Sequence, residues 1–259
     1  MGRAPAIRMA ARLAGALLVS ATLAAGASHA AGLTVYSAGA VKAALAEAAA
    51  NYEKSTGQHV AVDYVPVGTL MRGLEQGAQQ DAIVLSAEQM AQAEQKGWAM
   101  PGSSFALGTV AVGLAVREGA PIPDISTPDK LKQTLLAARS ITYVAPDKGT
   151  SGKHFAGVVQ QMGIADALKA RTVLADGGYA LEPVARGEVE IGVQQITEIL
   201  PVKGIRLVGP LPAPFGKTTV YAIALSANAK SVAEATAFFT YLRSAEVRRI
   251  FVAKGFQVP

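Results

Sequence analysis

Short apolar stretches alternate with helix-like stretches along most of this chain. Strand-like runs and helical patterns follow one another at 33–36, 41–55, 59–65, 69–76, 82–85 and 88–96. Gly57 and Gly97 stand where two of the helical patterns end, as glycine commonly does. Regular alternation of strand and helix predicts a mostly parallel sheet with helices on both faces.

The second half continues the alternation around proline-containing breaks. Its most apolar strand is expected at 110–116. Thr127-Pro128-Asp129 predicts a helix start, because threonine caps, proline suits the first turn and aspartate suits the helix dipole. Further strands and helices are expected at 141–144, 153–162, 172–174, 179–186, 190–193, 197–200, 206–208, 218–225, 231–243 and 245–254. The pattern fits either one doubly wound sheet or two smaller α/β lobes.

The first thirty residues have the order of a secretory signal peptide. Arg3, Arg8 and Arg12 precede an uncharged apolar run at 13–25, and Ser28-His29-Ala30 offers small residues for cleavage. A membrane anchor is the alternative, but this run is shorter than the ~20 residues that a spanning helix needs. We expect cleavage near Ala30 and a mature protein, beginning near Ala31, that works in the periplasm without inserting into the membrane.

Composition limits the chemistry of the mature chain. It has no cysteine, so disulfides and thiolate ligands are excluded. Three of the 24 Lys and Arg lie in the signal segment, which leaves 21 against 19 acids, and no basic cluster indicates nucleic-acid binding. Only His59 and His154 remain, which excludes a histidine-rich metal site but not a carboxylate one. We expect a monomer with no metal and no cofactor.

Three segments carry a resemblance to a known family: 33–45, 185–200 and 250–259. Together they resemble the periplasmic substrate-binding proteins of ABC importers, in the molybdate-binding-protein-like group. The resemblance implies a type II periplasmic-binding-protein fold with two α/β lobes, each a mostly parallel sheet flanked by helices, and a ligand cleft between them. It places lobe one at 32–108 plus 220–259 and lobe two at 109–219. It also implies an inner-membrane ABC permease as partner.

The match to molybdate binding itself is poorer. In that group two serines and a tyrosine contact the oxyanion; here Ser37 fits the first serine, Thr69 replaces the second, and Gln194-Gln195 stands where the tyrosine is expected. The segments 146–155 and 192–200 look more like the branch that includes aconitate isomerase. That enzyme is exported and interconverts cis- and trans-aconitate without a cofactor.

Candidate ligand-binding residues lie where predicted strands pass into helices. Backbone N–H groups at helix starts, hydroxyls and amides can hold an anion there, and an arginine or lysine can match its charge. The candidates are Ser37, Gly39, Gly68, Thr69, Arg72, Thr150, Ser151, Gly152, Lys153, Gln194 and Gln195. Structural alternatives stay open: Ser37 or Gly39 as an ordinary helix N-cap, and Arg72 as an exposed helix residue.

Catalytic candidates exist only if the protein is an isomerase. Glu198 and His154 are then the possible bases, and Lys217 is a further cation for carboxylates. Their structural alternatives are a helix-start carboxylate for Glu198 and a capping or exposed position for His154. Hydrolase, kinase and dehydrogenase functions lack their motifs, since GxSxG, GxGxxG after a strand and the P-loop spacing are all missing.

We therefore expect a periplasmic solute-binding protein that captures a small anion, an organic carboxylate rather than molybdate, for an ABC importer. Two alternatives remain open. One is a cofactor-independent aconitate isomerase on the same scaffold. The other is binding of a molybdate- or tungstate-type oxyanion.

Overall fold

The structure is a computed structural model that describes residues 1–2 and 32–258. The predicted signal peptide, residues 1–30, lies outside the described residues apart from Met1 and Gly2. Residues 32–258 belong to one compact unit.

Strands and helices alternate through the described residues. The strands are β1 Leu33–Ala38, β2 Val60–Val65, β3 Ala82–Ser86, β4 Phe105–Arg117, β5 Ile141–Val144, β6 Thr172–Ala175, β7 Ile191–Gln195, β8 Ile205–Pro210 and β9 Thr218–Leu225. The helices are α1 Lys42–Thr56, α2 Val67–Glu75, α3 Ala87–Gln95, α4 Pro128–Ala137, α5 Thr150–Gln161, α6 Ala165–Lys169, α7 Glu182–Ala185, α8 Ile196–Ile199, α9 Val232–Leu242 and α10 Ala245–Ala253. A 3₁₀ turn, Gly39–Val41, leads into α1.

The strands form a sheet with two parallel ends and an antiparallel middle. Its order is β2-β1-β3-β9-β4-β7-β5-β6, with β8 paired to β4 off this path. The strands β2, β1 and β3 are parallel to one another, and so are β7, β5 and β6. The antiparallel strands β9 and β4 join the two groups.

The long strand β4 belongs to both halves of the molecule. Its first half pairs with β9, with Gly108 opposite Tyr221, and its second half pairs with β7, with Val112 opposite Gln195. One hydrophobic cluster draws its buried residues from 33–110 and 221–256, and two others draw theirs from 112–211. We call these halves lobe one and lobe two. The expected two-lobe α/β fold is confirmed.

Several helix boundaries follow the chemistry of their end residues. The Thr127 hydroxyl accepts from the Lys130 N–H at the start of α4, with Pro128 in the first turn, as expected. Gly57 adopts the left-handed conformation, φ 73°, after α1. Ser37 and Gly39 lie on either side of the N-cap residue of the 3₁₀ turn, and neither of them is a cap residue itself. Ala38 precedes the 3₁₀ turn and Val41 precedes α1, and neither gives a side-chain cap.

Two other boundaries differ from expectation because of glycines. The helix expected at 179–186 forms only at Glu182–Ala185, since Gly177 and Gly178 have positive φ angles of 129° and 66° and the chain turns there first. The helix expected at 153–162 begins earlier, at Thr150, because the extended Gly149 is its N-cap residue.

Candidate functional site

A small cavity lies where several strands end and the following helices begin. Its volume is about 30 Å³, close to that of one water molecule in the liquid. Its walls come from lobe one (Ala38, Gly39, Ala40, Pro66, Val67, Tyr221) and from lobe two (Val144, Lys148, Gly149, Thr150, Ser151, Gly177, Gly178, Glu198). Ligands of open α/β sheets bind outside the carboxyl ends of strands, which makes this cavity the candidate site.

Backbone N–H groups at three helix starts surround the cavity. The 3₁₀ turn leads into α1, Val67 is the first residue of α2, and Thr150 is the first residue of α5. The first N–H groups of a helix lack partners within that helix, and the helix dipole adds partial positive charge there. Three such starts around one small cavity favour an anion.

Two glycines allow the lobes to meet beside the cavity. The Gly68 N–H donates across the lobes to the carbonyl oxygen of Lys148 over 3.1 Å. A Cβ atom at Gly68 would overlap the carbonyl oxygen of Asp147, and one at Gly177 would overlap the Pro66 ring. The lobes therefore close here because these two positions carry no side chain.

Glu198 supplies an acidic side chain to the cavity wall. It is 9% exposed, and its Oε1 lies 3.1 Å from the place where a Cβ atom of Gly39 would stand. Burial raises the pKa of Glu198 to about 8, while the Gln194 amide acts in the opposite direction. Among the residues that the structure describes, no ion pair involves Glu198. At pH 7 Glu198 is mainly a neutral acid that can donate a hydrogen bond to an anion.

A cluster of hydroxyls and one amide lies beside Glu198. The Thr150 and Tyr221 hydroxyl oxygens are 2.9 Å apart. Gln195 Nε2 lies 3.3 Å from the Thr150 hydroxyl, 3.3 Å from the Thr219 hydroxyl and 3.4 Å from the Tyr221 hydroxyl. Burial, and then the nearby Glu198, raise the pKa of Tyr221, so its hydroxyl keeps its proton. The cluster joins β9, β7 and the start of α5.

Gln194 holds the loop that covers the cavity. It is fully buried, and its Nε2 donates to the Gly178 carbonyl oxygen over 2.6 Å. Its Oε1 and the Oε1 of Gln195 are buried without a hydrogen-bond partner. Buried polar atoms without partners are uncommon, and they mark places where a water molecule or a ligand atom can bind.

Two lysines place positive charge near the cavity. Lys148 is in its wall and pairs with Asp176. Lys42, the first residue of α1, lies over two aromatic rings, 5.9 Å from the centroid of Tyr64 and 5.3 Å from that of Tyr179. Because Tyr179 belongs to lobe two, this contact also crosses between the lobes.

A wider groove of about 790 Å³ meets the cavity at Val67, Gly149 and Thr150. Gly68, Lys153, His154 and Lys217 line it, together with the acids Glu88 and Asp147. His154 Nε2 lies 2.7 Å from the Phe215 carbonyl oxygen. A carbonyl oxygen only accepts hydrogen bonds, so His154 Nε2 carries a proton and donates it to Phe215.

Several candidate residues from the sequence line neither the cavity nor the groove. The buried Ser37 hydroxyl donates to the Ala38 carbonyl oxygen over 3.1 Å. The Thr69 hydroxyl accepts from Nη2 of the exposed Arg72 over 3.2 Å. A Cβ atom at Gly152 would overlap the Val144 carbonyl oxygen, so this glycine allows α5 to pack closely on β5. The roles of these residues in ligand binding stay predictions.

Sequence reasoning missed three residues of the site, which are Thr219, Tyr221 and Lys148. Tyr221 and Thr219 lie two positions apart on the strand β9, so their side chains point to the same face. That spacing was a usable signal. No pattern in the sequence pointed to Lys148, because only its position in the folded loop brings it to the cavity wall.

Comparisons with known proteins show the family. Residues 33–257 match the family model described as "Bacterial extracellular solute-binding protein", and the chain belongs to this family. The expected resemblance to the substrate-binding proteins, with a branch similar to aconitate isomerase, is confirmed. Among the described residues no helix is long and apolar enough to span a bilayer.

Three relatives illustrate the family's range. An aconitate isomerase of a Pseudomonas species is 31% identical over 249 residues, covering 93% of each chain. The molybdate-binding protein ModA of Escherichia coli K12 is 25% identical over 231 residues, covering 87% of this chain and 89% of its own. The solved periplasmic molybdate-binding protein of Azotobacter vinelandii superposes with a TM-score of 0.75 at 22% identity, covering 88% of this chain and 99% of that one.

Proposed function

We propose that this protein captures a small organic carboxylate in the cavity between its lobes and delivers it to an ABC permease in the inner membrane. The supporting observation is the cavity itself, where three helix starts and hydroxyl donors surround one neutral acid. The family description, with its word "extracellular", supports export, and the mature chain would then work in the periplasm. The lobe boundaries 32–108 plus 220–259 and 109–219 belong to this proposal.

The closed cavity has to open before it can take such a ligand. A volume of about 30 Å³ holds one water-sized group, whereas a ligand as large as benzene needs a cavity of roughly 150 Å³. Part of a carboxylate ligand can occupy the adjoining groove, where Lys153 and Lys217 offer positive charge. We therefore infer that binding begins with the lobes apart and ends with the contact between Gly68 and Lys148.

The carboxylate is favoured over molybdate because the cavity lacks a second hydroxyl from the start of α2. Thr69, which would replace the second serine of the molybdate-binding proteins, is bonded to Arg72 outside the cavity. The relative that shares 31% identity over nearly the whole chain is named for its action on aconitate.

Calorimetric titration tests this proposal. Residues 31–259 are titrated separately with trans-aconitate, cis-aconitate and molybdate at pH 7. We expect at least one aconitate isomer to bind with one-to-one stoichiometry and molybdate to give no binding heat. Binding of molybdate alone contradicts the preference for a carboxylate, and absence of binding by all three contradicts anion capture by this cavity.

A second candidate function is cofactor-independent isomerisation of aconitate, and Glu198 favours it. A carboxyl with a pKa of about 8 at the cavity wall can take up and release protons near neutral pH. In the reaction its ionised form takes a proton from the allylic CH₂ of aconitate. The carboxyl returns this proton to the former vinyl carbon as the double bond shifts. Atoms and charge balance without a cofactor.

Proton NMR of cis-aconitate and trans-aconitate, each incubated with the protein, measures this activity. If the protein is an isomerase, each isomer yields the other, and Glu198→Gln lowers the rate at least about 100-fold, as expected for loss of general base catalysis. Glu75→Gln, a change at an exposed acid on α2, is the matched control and keeps the rate. If the wild type converts neither isomer, the enzyme candidate is wrong and the binding function is unaffected.

A further inference from the structure

Tyr221 is a buried residue of β9 whose side chain reaches the wall of the cavity. It is 2% exposed and pairs with Gly108 of β4, in the part of the sheet where the two lobes join. The cavity wall next to it contains Thr150 from the start of α5 and Glu198 from α8. Tyr221 is therefore positioned to contact whatever occupies the cavity.

The hydrogen bonds around Tyr221 determine what its hydroxyl can do. The Gln195 amide nitrogen can only donate, so the Thr150 and Tyr221 hydroxyl oxygens accept from it. These two hydroxyls also form a hydrogen bond with each other over 2.9 Å, in which one of them donates its proton to the other. The proton of the accepting hydroxyl is then left over. Among the described residues, neither hydroxyl has another acceptor for the second proton.

The cavity is the place where an acceptor for this second proton can stand. Thr150 and Tyr221 both line it, and the neighbouring helix starts attract an anion there. A carboxylate oxygen accepts hydrogen bonds and donates none, so it matches this spare donor. The Glu198 carboxyl, when protonated, offers a second donor at the same wall.

We propose that Tyr221 is a ligand-binding residue, which together with Thr150 donates a hydrogen bond to a carboxylate oxygen of the ligand. This inference rests on the proposed function, because it needs an anion in the cavity. It adds a residue to the site that none of the motifs in the sequence indicated. It also gives a role to a tyrosine hydroxyl on the part of β9 that pairs with β4, where the two lobes join.

Tyr221→Phe tests the inference, because this change removes only the hydroxyl. Tyr52→Phe is the matched control: its hydroxyl donates to Gln58 Oε1 over 2.8 Å, and the residue lines neither the cavity nor the groove. Both variants and the wild type are titrated with trans-aconitate, cis-aconitate and molybdate. We expect Tyr221→Phe to weaken carboxylate binding by about 10- to 100-fold, the range for a hydrogen bond to a charged group. Tyr52→Phe should stay within about twofold of the wild type.

A thermal-shift measurement separates ligand binding from a merely structural role. The rise in Tm that the bound carboxylate produces should shrink in Tyr221→Phe and be retained in Tyr52→Phe. If Tyr221→Phe does not fold, Thr150→Ala removes the other hydroxyl of the pair and should weaken binding in the same direction.

The outcomes distinguish this inference from the function on which it rests. If the wild type binds a carboxylate and Tyr221→Phe binds it equally well, the role of Tyr221 is wrong and anion capture is retained. If the wild type binds none of the three probes, the proposed function is wrong and the role of Tyr221 is wrong with it.

Discussion

At the scale of single residues, Glu198 is a carboxyl that is buried at the cavity wall. Burial raises the pKa of its carboxyl from 4.5 to about 8. Tyr221 and Tyr179 lie close enough for the charge of an ionised Glu198 to raise their pKa values as well. A neutral Glu198 is therefore the form that the closed cavity favours at neutral pH.

This raised pKa predicts a pH dependence of stability. Because the folded protein binds the Glu198 proton more tightly than the unfolded chain, the stabilisation by this proton is complete below pH 4.5 and is lost as pH rises through about 8. The free energy of unfolding of the wild type should fall by a few kcal/mol, at most about 5, relative to Glu198→Gln between pH 5 and pH 9. Urea unfolding across this range measures the difference.

Glu75→Gln is the control for this measurement, since Glu75 is exposed and its removal should leave the pH profile parallel to that of the wild type. A Glu198→Gln profile that also runs parallel to the wild type contradicts the raised pKa. In that case Glu198 would be ionised in the folded protein, and its role as a hydrogen-bond donor would be wrong.

At the scale of elements, the start of α2 is the part of lobe one that closes against lobe two. The Gly68 N–H donates to Lys148, and the position has no room for a side chain because of the Asp147 carbonyl oxygen. Gly68 has no positive φ angle, so alanine fits its backbone and only the contact between lobes is affected.

Gly68→Ala should therefore prevent full closure of the lobes. We expect carboxylate binding to weaken by about 10-fold or more, with a small change in Tm, because the substituted position lies at a contact between lobes rather than inside a hydrophobic cluster. Gly77→Ala is the control, since this glycine after α2 lines neither the cavity nor the groove and nothing stands within 4 Å of its Cβ position. Its positive φ angle of 86° makes alanine destabilising there, so this variant also shows whether lower stability alone weakens binding. Calorimetric titration of both variants gives the comparison. Unchanged binding by Gly68→Ala would show that closure at this contact is not needed.

The elements show which parts of the fold local patterns can predict. Strands and helices with strong periodicity and clear ends, such as α4 after Thr127, were predicted within a few residues. The helix expected at 179–186 was too long, because the two glycines before it form a turn whose shape depends on packing against Pro66. The first helix was predicted at 41–55 and α1 is Lys42–Thr56, but its N-cap residue could not be predicted because a 3₁₀ turn without a side-chain cap precedes it.

At the scale of the whole molecule, the paired strands β4 and β9 join the two lobes next to the cavity. They pair with each other across the middle of the sheet, and β9 brings Tyr221 to the cavity while β4 pairs with the β7 strand that carries Gln195. The family and its two-lobe fold could be predicted from the segments 33–45, 185–200 and 250–259. The cavity wall could be predicted only in part, because Lys148, Tyr221 and Pro66 meet through contacts between residues distant in the chain.

The calorimetric titration of residues 31–259 with trans-aconitate, cis-aconitate and molybdate tests the central claim most directly. The claim is that a small organic carboxylate binds between the lobes. The predicted result is one-to-one binding of an aconitate isomer, no binding of molybdate, and weaker carboxylate binding in Gly68→Ala than in Gly77→Ala. Binding of molybdate alone, or carboxylate binding that both glycine variants retain in full, would contradict the claim.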